Sequence, residues 1–290
     1  MAPVNSTTSN HEMSNTLDLN SIREHWQGWA QQYGTSLRAT TKTSSAKIME
    51  IDALSRALLN IQKTVGRGLK ILEVGCGNGQ NCLNLLDALP SASFTGIDFI
   101  EEMVTAANAV KSERRIPDER VIFQVANVLE LSLPDSSFDV VFTDRCLINL
   151  NTDSLQHQAI ASLVKLLTPG GHLLMIENSQ QTFEAQNLAR ESVGLARRTP
   201  AEFNHFFDET TLLPFLPTSG LEILSIEDFI SLHDIVLYVL VPMMNGGKVD
   251  YEHPLVGAAT SLNVGLSSLK PSGFGAYGQN RLYLCRRVNK

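Results

Sequence analysis

The chain has 290 residues, 43% of them hydrophobic and 18% charged, enough apolar material for one large core or two small ones. A net charge of −7, with a pI near 5.5, provides no basic footprint to neutralise phosphates and argues against nucleic acid as a partner. The most apolar window, 230–244, is interrupted by His233 and Asp234 and closed in by Pro242, so no membrane span is expected.

In chain order, residues 1–18 are rich in Ser, Thr and Asn and carry no Lys or Arg; a disordered tail is expected, not a secretory signal. The spacing of Ile22, Trp26, Trp29 and Tyr33 predicts a helix over 19–33, capped by Asn20 or Ser21 and stopped by Gly34. A second helix is expected over 45–61. Ile71, Leu72 and Val74 then read as a short buried strand, which runs into glycines at 75, 77 and 79 and a helical pattern from Gln80. The second strand closes at Asp98, and a helix follows over 101–111. The third strand is Val121–Val125, the fourth 138–143 and the fifth 172–176, with a helix at 153–167 ended by Thr168-Pro169-Gly170-Gly171. Two helical patterns, 183–195 and 208–216, occupy an insertion at about 178–220 that is long enough to cap a pocket. The last strands, 221–229 and 281–288, flank a helix at 232–244 and a glycine-rich loop at 273–278. Strands alternating with helices predict an α/β fold: a Rossmann-like, seven-stranded, mostly parallel sheet with helices on both faces, as one domain over 19–290.

The turn after the first strand, Glu73-Val74-Gly75-Cys76-Gly77-Asn78-Gly79, spaces its glycines G-x-G-x-G. The dinucleotide fingerprint is G-x-G-x-x-G, so a nicotinamide-dependent dehydrogenase is disfavoured. An acid, Glu73, precedes the turn, and a second, Asp98, offers two acceptor oxygens that suit paired ribose hydroxyls. Asp98 taken alone also fits a helix N-cap. The four cysteines, Cys76, Cys82, Cys146 and Cys285, show neither a C-x-x-C pair nor zinc spacing, and read as reduced thiols of a cytoplasmic protein.

The glycine turn, Gly96-Ile97-Asp98 and the 168–171 turn together resemble the class I S-adenosylmethionine-dependent methyltransferases, over about 26–286. The resemblance implies S-adenosylmethionine as cofactor, bound at Glu73, Gly75, Gly77, Gly79 and Asp98. It also implies an N-terminal helical lid whose aromatic end is Tyr33, and an adenine acceptor at Asn127, where an Asx turn is the plain alternative. Phe99 and Val128 are apolar neighbours able to sandwich the adenine. Ligands in open α/β sheets sit at the carboxyl ends of strands, which brings Asp144, Arg145 and Asn149 to the methyl-transfer site. The segment lacks the Asn/Asp-Pro-Pro-aromatic motif of members that methylate DNA bases or protein glutamine.

Methyl transfer from a sulfonium is an in-line displacement in which positioning alone supplies ~7–11 kcal/mol. A hydroxyl acceptor benefits from a general base with a pKa near neutrality. His205, His233, Glu177 and Asp144 are the candidates, and the sequence does not choose among them. Either histidine also fits a structural role, and Glu177 fits an ion pair with Arg145. No metal is expected, although Asp144, Glu177 and Asn178 could hold a divalent ion if their oxygens converged. The expected activity is methylation of a small-molecule acceptor at a hydroxyl. The alternatives are a small-molecule N-methyltransferase and a cofactor-binding regulatory or scaffold protein without turnover. Acceptor identity and oligomeric state are not legible.

Overall fold

The computed structural model describes residues 17–267 and 274–288. The expected tail lies outside the described residues except for Leu17 and Asp18, and the glycine-rich loop is described from Phe274 onward. Those two tail residues are held in place: the Leu17 amide donates to the Glu202 carbonyl at 2.8 Å, and Asp18 caps the first helix. That helix, α1 (Leu19–Tyr33), therefore takes its cap just ahead of the expected Asn20 or Ser21, because the Asp18 carboxylate accepts from the amides of both.

Successive apolar residues of β1 (Lys70–Val74) point to opposite faces, and both faces are covered. Ile71 joins Val140 and Leu174 in one core cluster, under α2 (Ser44–Val65), α3 (Gln80–Leu85) and α4 (Glu101–Glu113). Leu72 joins Val141 and Leu173 in another, under α5 (Asp153–Leu166). This two-sided burial explains why β1, β4 (Phe138–Asp144) and the second half of β5 (Leu167–Asn178) read as largely apolar runs without alternation.

The seven strands lie in the order β3-β2-β1-β4-β5-β7-β6, with β2 (Ser93–Asp98) and β3 (Val121–Val125) on one side of β1. The first five are parallel, while β7 (Asn280–Arg287) runs antiparallel between β5 and β6 (Leu221–Glu227). The chain grows outward from β1 to β3 and then crosses back to β4, which opens a crevice at the carboxyl ends of β1 and β4.

Three local features depart from the sequence expectation. The turn 168–171 lies within β5, because Leu167 already pairs with Phe138 before a register shift. The helix predicted over 232–244 is continuous but changes pitch: α8 (Ser231–Ile235) passes through a π-helical stretch, Val236–Leu240, into α9 (Val241–Met244). A further helix, α10 (Pro254–Ser267), packs on α2; its small residues and two glycines had masked it. Among the described residues, no helix is long and apolar enough to cross a membrane.

Candidate active site

A cavity of about 650 Å³ opens at the crevice. Its floor is the turn after β1, where Gly75 has φ +72° and Gly77 φ +51°. A Cβ on Gly75 would sit 2.4 Å from the Cys146 sulfur, and one on Gly77 would sit 2.5 Å from the Thr40 methyl. Only glycine gives this floor both its conformation and its clearance. Both glycines border the cavity; Gly79 instead abuts Phe123, behind it.

Asp98 closes β2 and ties the floor to α4. One carboxylate oxygen accepts from the Gly77 amide at 2.8 Å and the other from the Ile100 amide at 2.9 Å. Burial raises its pKa, and each oxygen keeps a lone pair for a ligand. Phe99, beside it, also borders the cavity and is 36% exposed.

The wall between β1 and β4 is a buried ionic network with a member unforeseen in the sequence. Lys47 of α2 reaches Asp144 at 2.5 Å, Glu50 at 2.9 Å and the side-chain Oδ1 of Asn81 at 3.1 Å. Arg145 lies beyond it with Nε 2.9 Å from Glu50, an ion pair without hydrogen-bond alignment, and Nη2 donates to the same carboxylate at 3.3 Å. Its backbone is left-handed, φ +53°, an uncommon conformation for a residue with a Cβ. Burial works against the Asp144 carboxylate, but Lys47 and Arg145 hold it below the usual carboxylate range. Its Oδ1 is buried without a hydrogen-bond partner. Glu73 accepts from Asn81 at 2.8 Å and from the Cys82 thiol at 2.9 Å, and burial pushes it up to about 7.

Glu177 has a different role from the one expected. It does not border the cavity and does not pair with Arg145, whose partner is Glu50. Its carboxylate accepts from the Thr143 hydroxyl at 2.7 Å and from the amides of Cys146, Leu147 and Ile148. Burial raises it to about 7. Glu177 thus fixes the turn after β4 and sets the positions of Ile148 and Asn149 at the cavity. Its oxygens, those of Asp144 and the Asn178 amide face separate partners, and among the described residues no group of three or more His, Cys, Asp or Glu could hold a metal.

The two histidines separate cleanly. His205 turns away from the cavity, with Nε2 2.7 Å from Asp153, which removes it from the base candidates. His233, on α8, borders the cavity. Its Nδ1 donates to Asp234 at 2.9 Å, while Nε2 is buried with no partner. The pairing on Nδ1 leaves the Nε2 lone pair free.

Three expected cofactor contacts fall elsewhere. Asn127 spends its side-chain oxygen on the Leu129 amide at 3.1 Å, an Asx turn, and Val128 packs into the core under α5. Tyr33 packs tilted against Trp29, ring centroids 5.2 Å apart, but does not itself border the cavity. The aromatic edge comes from earlier in α1: Trp26 and Trp29 border the cavity, and the Trp26 indole donates to Asn149 at 2.9 Å. Of the insertion, Asn178 at its start, Phe183 of α6 (Gln180–Ser192) and the loop 198–204 reach the cavity; α7 (Glu209–Thr218) packs behind β6 through Leu212 and Leu216. Arg198, Tyr238 and Tyr251 complete the wall opposite α1 and carried no local signal in the sequence.

A family model described as a methyltransferase domain matches residues 66–211, half of the chain. The 27-O-demethylrifamycin SV methyltransferase of Amycolatopsis mediterranei is 34% identical over 113 residues, 37% of this chain and 38% of that protein. A demethylmenaquinone methyltransferase of Staphylococcus aureus is 35% identical over 119 residues, 41% and 46% of the two chains. The chain spans less than half the length of the curated relatives it matches. Among solved structures, magnesium protoporphyrin IX methyltransferase from Synechocystis, with bound SAH, aligns with a TM-score of 0.58 and 15% identity, over 93% of this chain and all of that one. The [4+2]-cyclase SpnF aligns at 0.53 with 21% identity over 82% of each. Both likenesses concern the fold.

Proposed function

The chain belongs to the methyltransferase-domain family, and from that premise we propose that it transfers a methyl group from S-adenosylmethionine to a hydroxyl of a small molecule. The cofactor supplies an electrophilic methyl carbon on a sulfonium. The residues at the strand ends fit it: the floor at Gly75 and Gly77 admits no Cβ, Asp98 offers two lone pairs to ribose hydroxyls, and Asp144 Oδ1, 3.7 Å from Arg145 Nε but without a hydrogen bond, is an acceptor suited to an ammonium group. Phe99 offers an aromatic face to the adenine.

The observation that carries the hydroxyl reading is the unpartnered Nε2 of His233, in the wall of the cavity whose floor is the glycine turn. A neutral alcohol is a weak nucleophile, and a base that takes its proton during attack contributes typically 10²–10⁴-fold. His233 accepts that proton at Nε2, and Asp234 stabilises the resulting imidazolium through Nδ1. Asp234 is itself fixed, since its second oxygen accepts from the Gln279 amide at 2.7 Å. Residues 19–290 act as one domain in this proposal, and the four free cysteines support a reducing, cytoplasmic setting.

The test is a screen of small hydroxylated and aminated acceptors with labelled S-adenosylmethionine, run on the native chain and on His233→Ala. Label transfer to hydroxyls that collapses in the variant supports the assignment. Transfer to amines alone would replace it with N-methylation, and cofactor binding without any transfer would favour a regulatory role.

A further inference from the structure

Arg198 is a guanidinium in the cavity wall that no acid among the described residues neutralises. Its backbone is locked to Asn187, whose side chain pairs with both the amide and the carbonyl of Arg198. Its guanidinium lies over Tyr238, 3.5 Å from the ring centroid, with Phe183 at 5.4 Å. Nη1 donates to Gln186 at 2.5 Å and Nη2 to Gln279 at 3.2 Å, both neutral amides. Three other arginines do have acids: Arg145 pairs with Glu50, Arg281 with Glu209 and Asp228, and Arg56 with Asp52 and Glu227. Among the described residues, no carboxylate lies within ion-pair distance of Arg198.

A second guanidinium adds to the imbalance. Arg190 donates to the carbonyls of Ala196 and Tyr238 and likewise has no acidic partner among the described residues. Burial and the charge of Arg198 hold it below its ordinary value. Asp234 is the acid joined to this group through Gln279, but both of its oxygens are already engaged. A guanidinium carries five N–H donors in a planar fork that matches a carboxylate. Two of those of Arg198 have protein acceptors, so the rest are available to a ligand.

The cation and the base also share one hydrogen-bonded frame. Arg198 bonds the Gln279 side chain, the Gln279 amide bonds Asp234, and Asp234 bonds His233. Around them the wall is aromatic, with Tyr238, Tyr251, Phe183 and Phe203. We infer that the methyl acceptor is a hydroxylated aromatic carboxylate, its carboxylate paired with Arg198 and its hydroxyl directed to His233 Nε2. This inference rests on the methyl-transfer proposal and adds to it the charge and framework of the substrate.

The experiment is calorimetric titration of the full chain saturated with S-adenosylhomocysteine. The probes are para-hydroxybenzoate, para-hydroxyphenylpropanoate and a hydroxynaphthoate, each beside its own carboxamide. At least one carboxylate is expected to bind about tenfold or more tightly than its amide, as befits a charge-assisted pair. Arg198→Gln abolishes that preference and leaves S-adenosylhomocysteine affinity within about twofold, since the cofactor end keeps its own residues; Arg198→Lys retains part of it. The inference is overturned if no pair favours the carboxylate, whether both members bind equally or neither binds. It is overturned equally by a preference that survives Arg198→Gln, or by loss of S-adenosylhomocysteine affinity in that variant. Label transfer to the neutral amides with no carboxylate preference would sink the anionic acceptor while leaving methyl transfer standing.

Discussion

The two sides of the cavity are built on opposite principles. On the strand-end side, most polar groups are answered by the protein itself: Asp98 by backbone amides, Lys47 by two carboxylates and an amide, Glu73 by Asn81 and Cys82. Asp144 Oδ1 and Arg145 Nε are left there without a hydrogen bond. On the side facing α8, polar groups are left over, with His233 Nε2 unpartnered and Arg198 without an acid. A buried polar atom without a partner costs about 1–3 kcal/mol. A fold keeps such a cost where a ligand removes it. The first side is therefore a rigid cradle and the second a recognition surface.

If that division is right, substitutions on the two sides should fail in different ways. The largest effect is expected at Glu177, where Ala strands a hydroxyl and three amides; unfolding free energy should fall by about 3 kcal/mol or more in urea titration. A small loss there would mean that the turn after β4 holds itself. His233→Ala comes next, with turnover reduced roughly 10²–10⁴-fold and cofactor affinity nearly unchanged; a large loss of affinity would move His233 into the cradle. Asp98→Ala should do the reverse and weaken cofactor binding by roughly a hundredfold or more, since two hydrogen bonds to a charged acceptor are worth about 1.5–3 kcal/mol each. A folded variant with native affinity would remove Asp98 from the site.

The cradle also makes a pH prediction. Burial raises Glu73 and Glu177 from 4.5 to about 7, so the folded state holds their protons more tightly than the unfolded chain does. Their stabilising contribution is complete below pH 4.5 and is lost as pH rises to about 7. The ligand-free protein should lose melting temperature across that window through these two groups, and Glu73→Gln should flatten the slope. A slope unaltered by the substitution would mean that Glu73 does not titrate there. The smallest effect is expected at Asn127, where Ala should change cofactor affinity by less than about twofold, because its oxygen serves the Leu129 amide.

What was legible in the sequence follows the same division. The glycine turn, Glu73 and Asp98 are specified by neighbours in the chain: a backbone that needs positive φ and a strand that ends in an acid. The sheet was legible too, because two-sided burial leaves largely apolar runs without alternation. Lys47, Arg198 and Tyr238 were not, since their meeting depends on how separate helices and loops dock. His205 and His233 look alike in sequence, and what distinguishes them is their place relative to the cavity and the partner of each Nε2. Asn127 showed the right atom type, but a local turn had already claimed it. Tyr33 sat on the correct helix at the wrong depth, one turn past the tryptophans that reach the cavity.

The place of β7 has a consequence for biosynthesis. It is the latest strand in the chain, yet it lies inside the sheet, and β6 pairs with no other strand. Its first residue, Asn280, also bonds Glu50 and Asn178, so the final strand completes the ionic network beside the cofactor floor. A nascent chain that has emerged only as far as β6 carries two open sheet edges and an unfinished binding wall. Such edges pair readily with other chains. Ribosome stalling or truncation ahead of residue 280 should therefore yield an aggregation-prone product and not a folded protein with a weakened site.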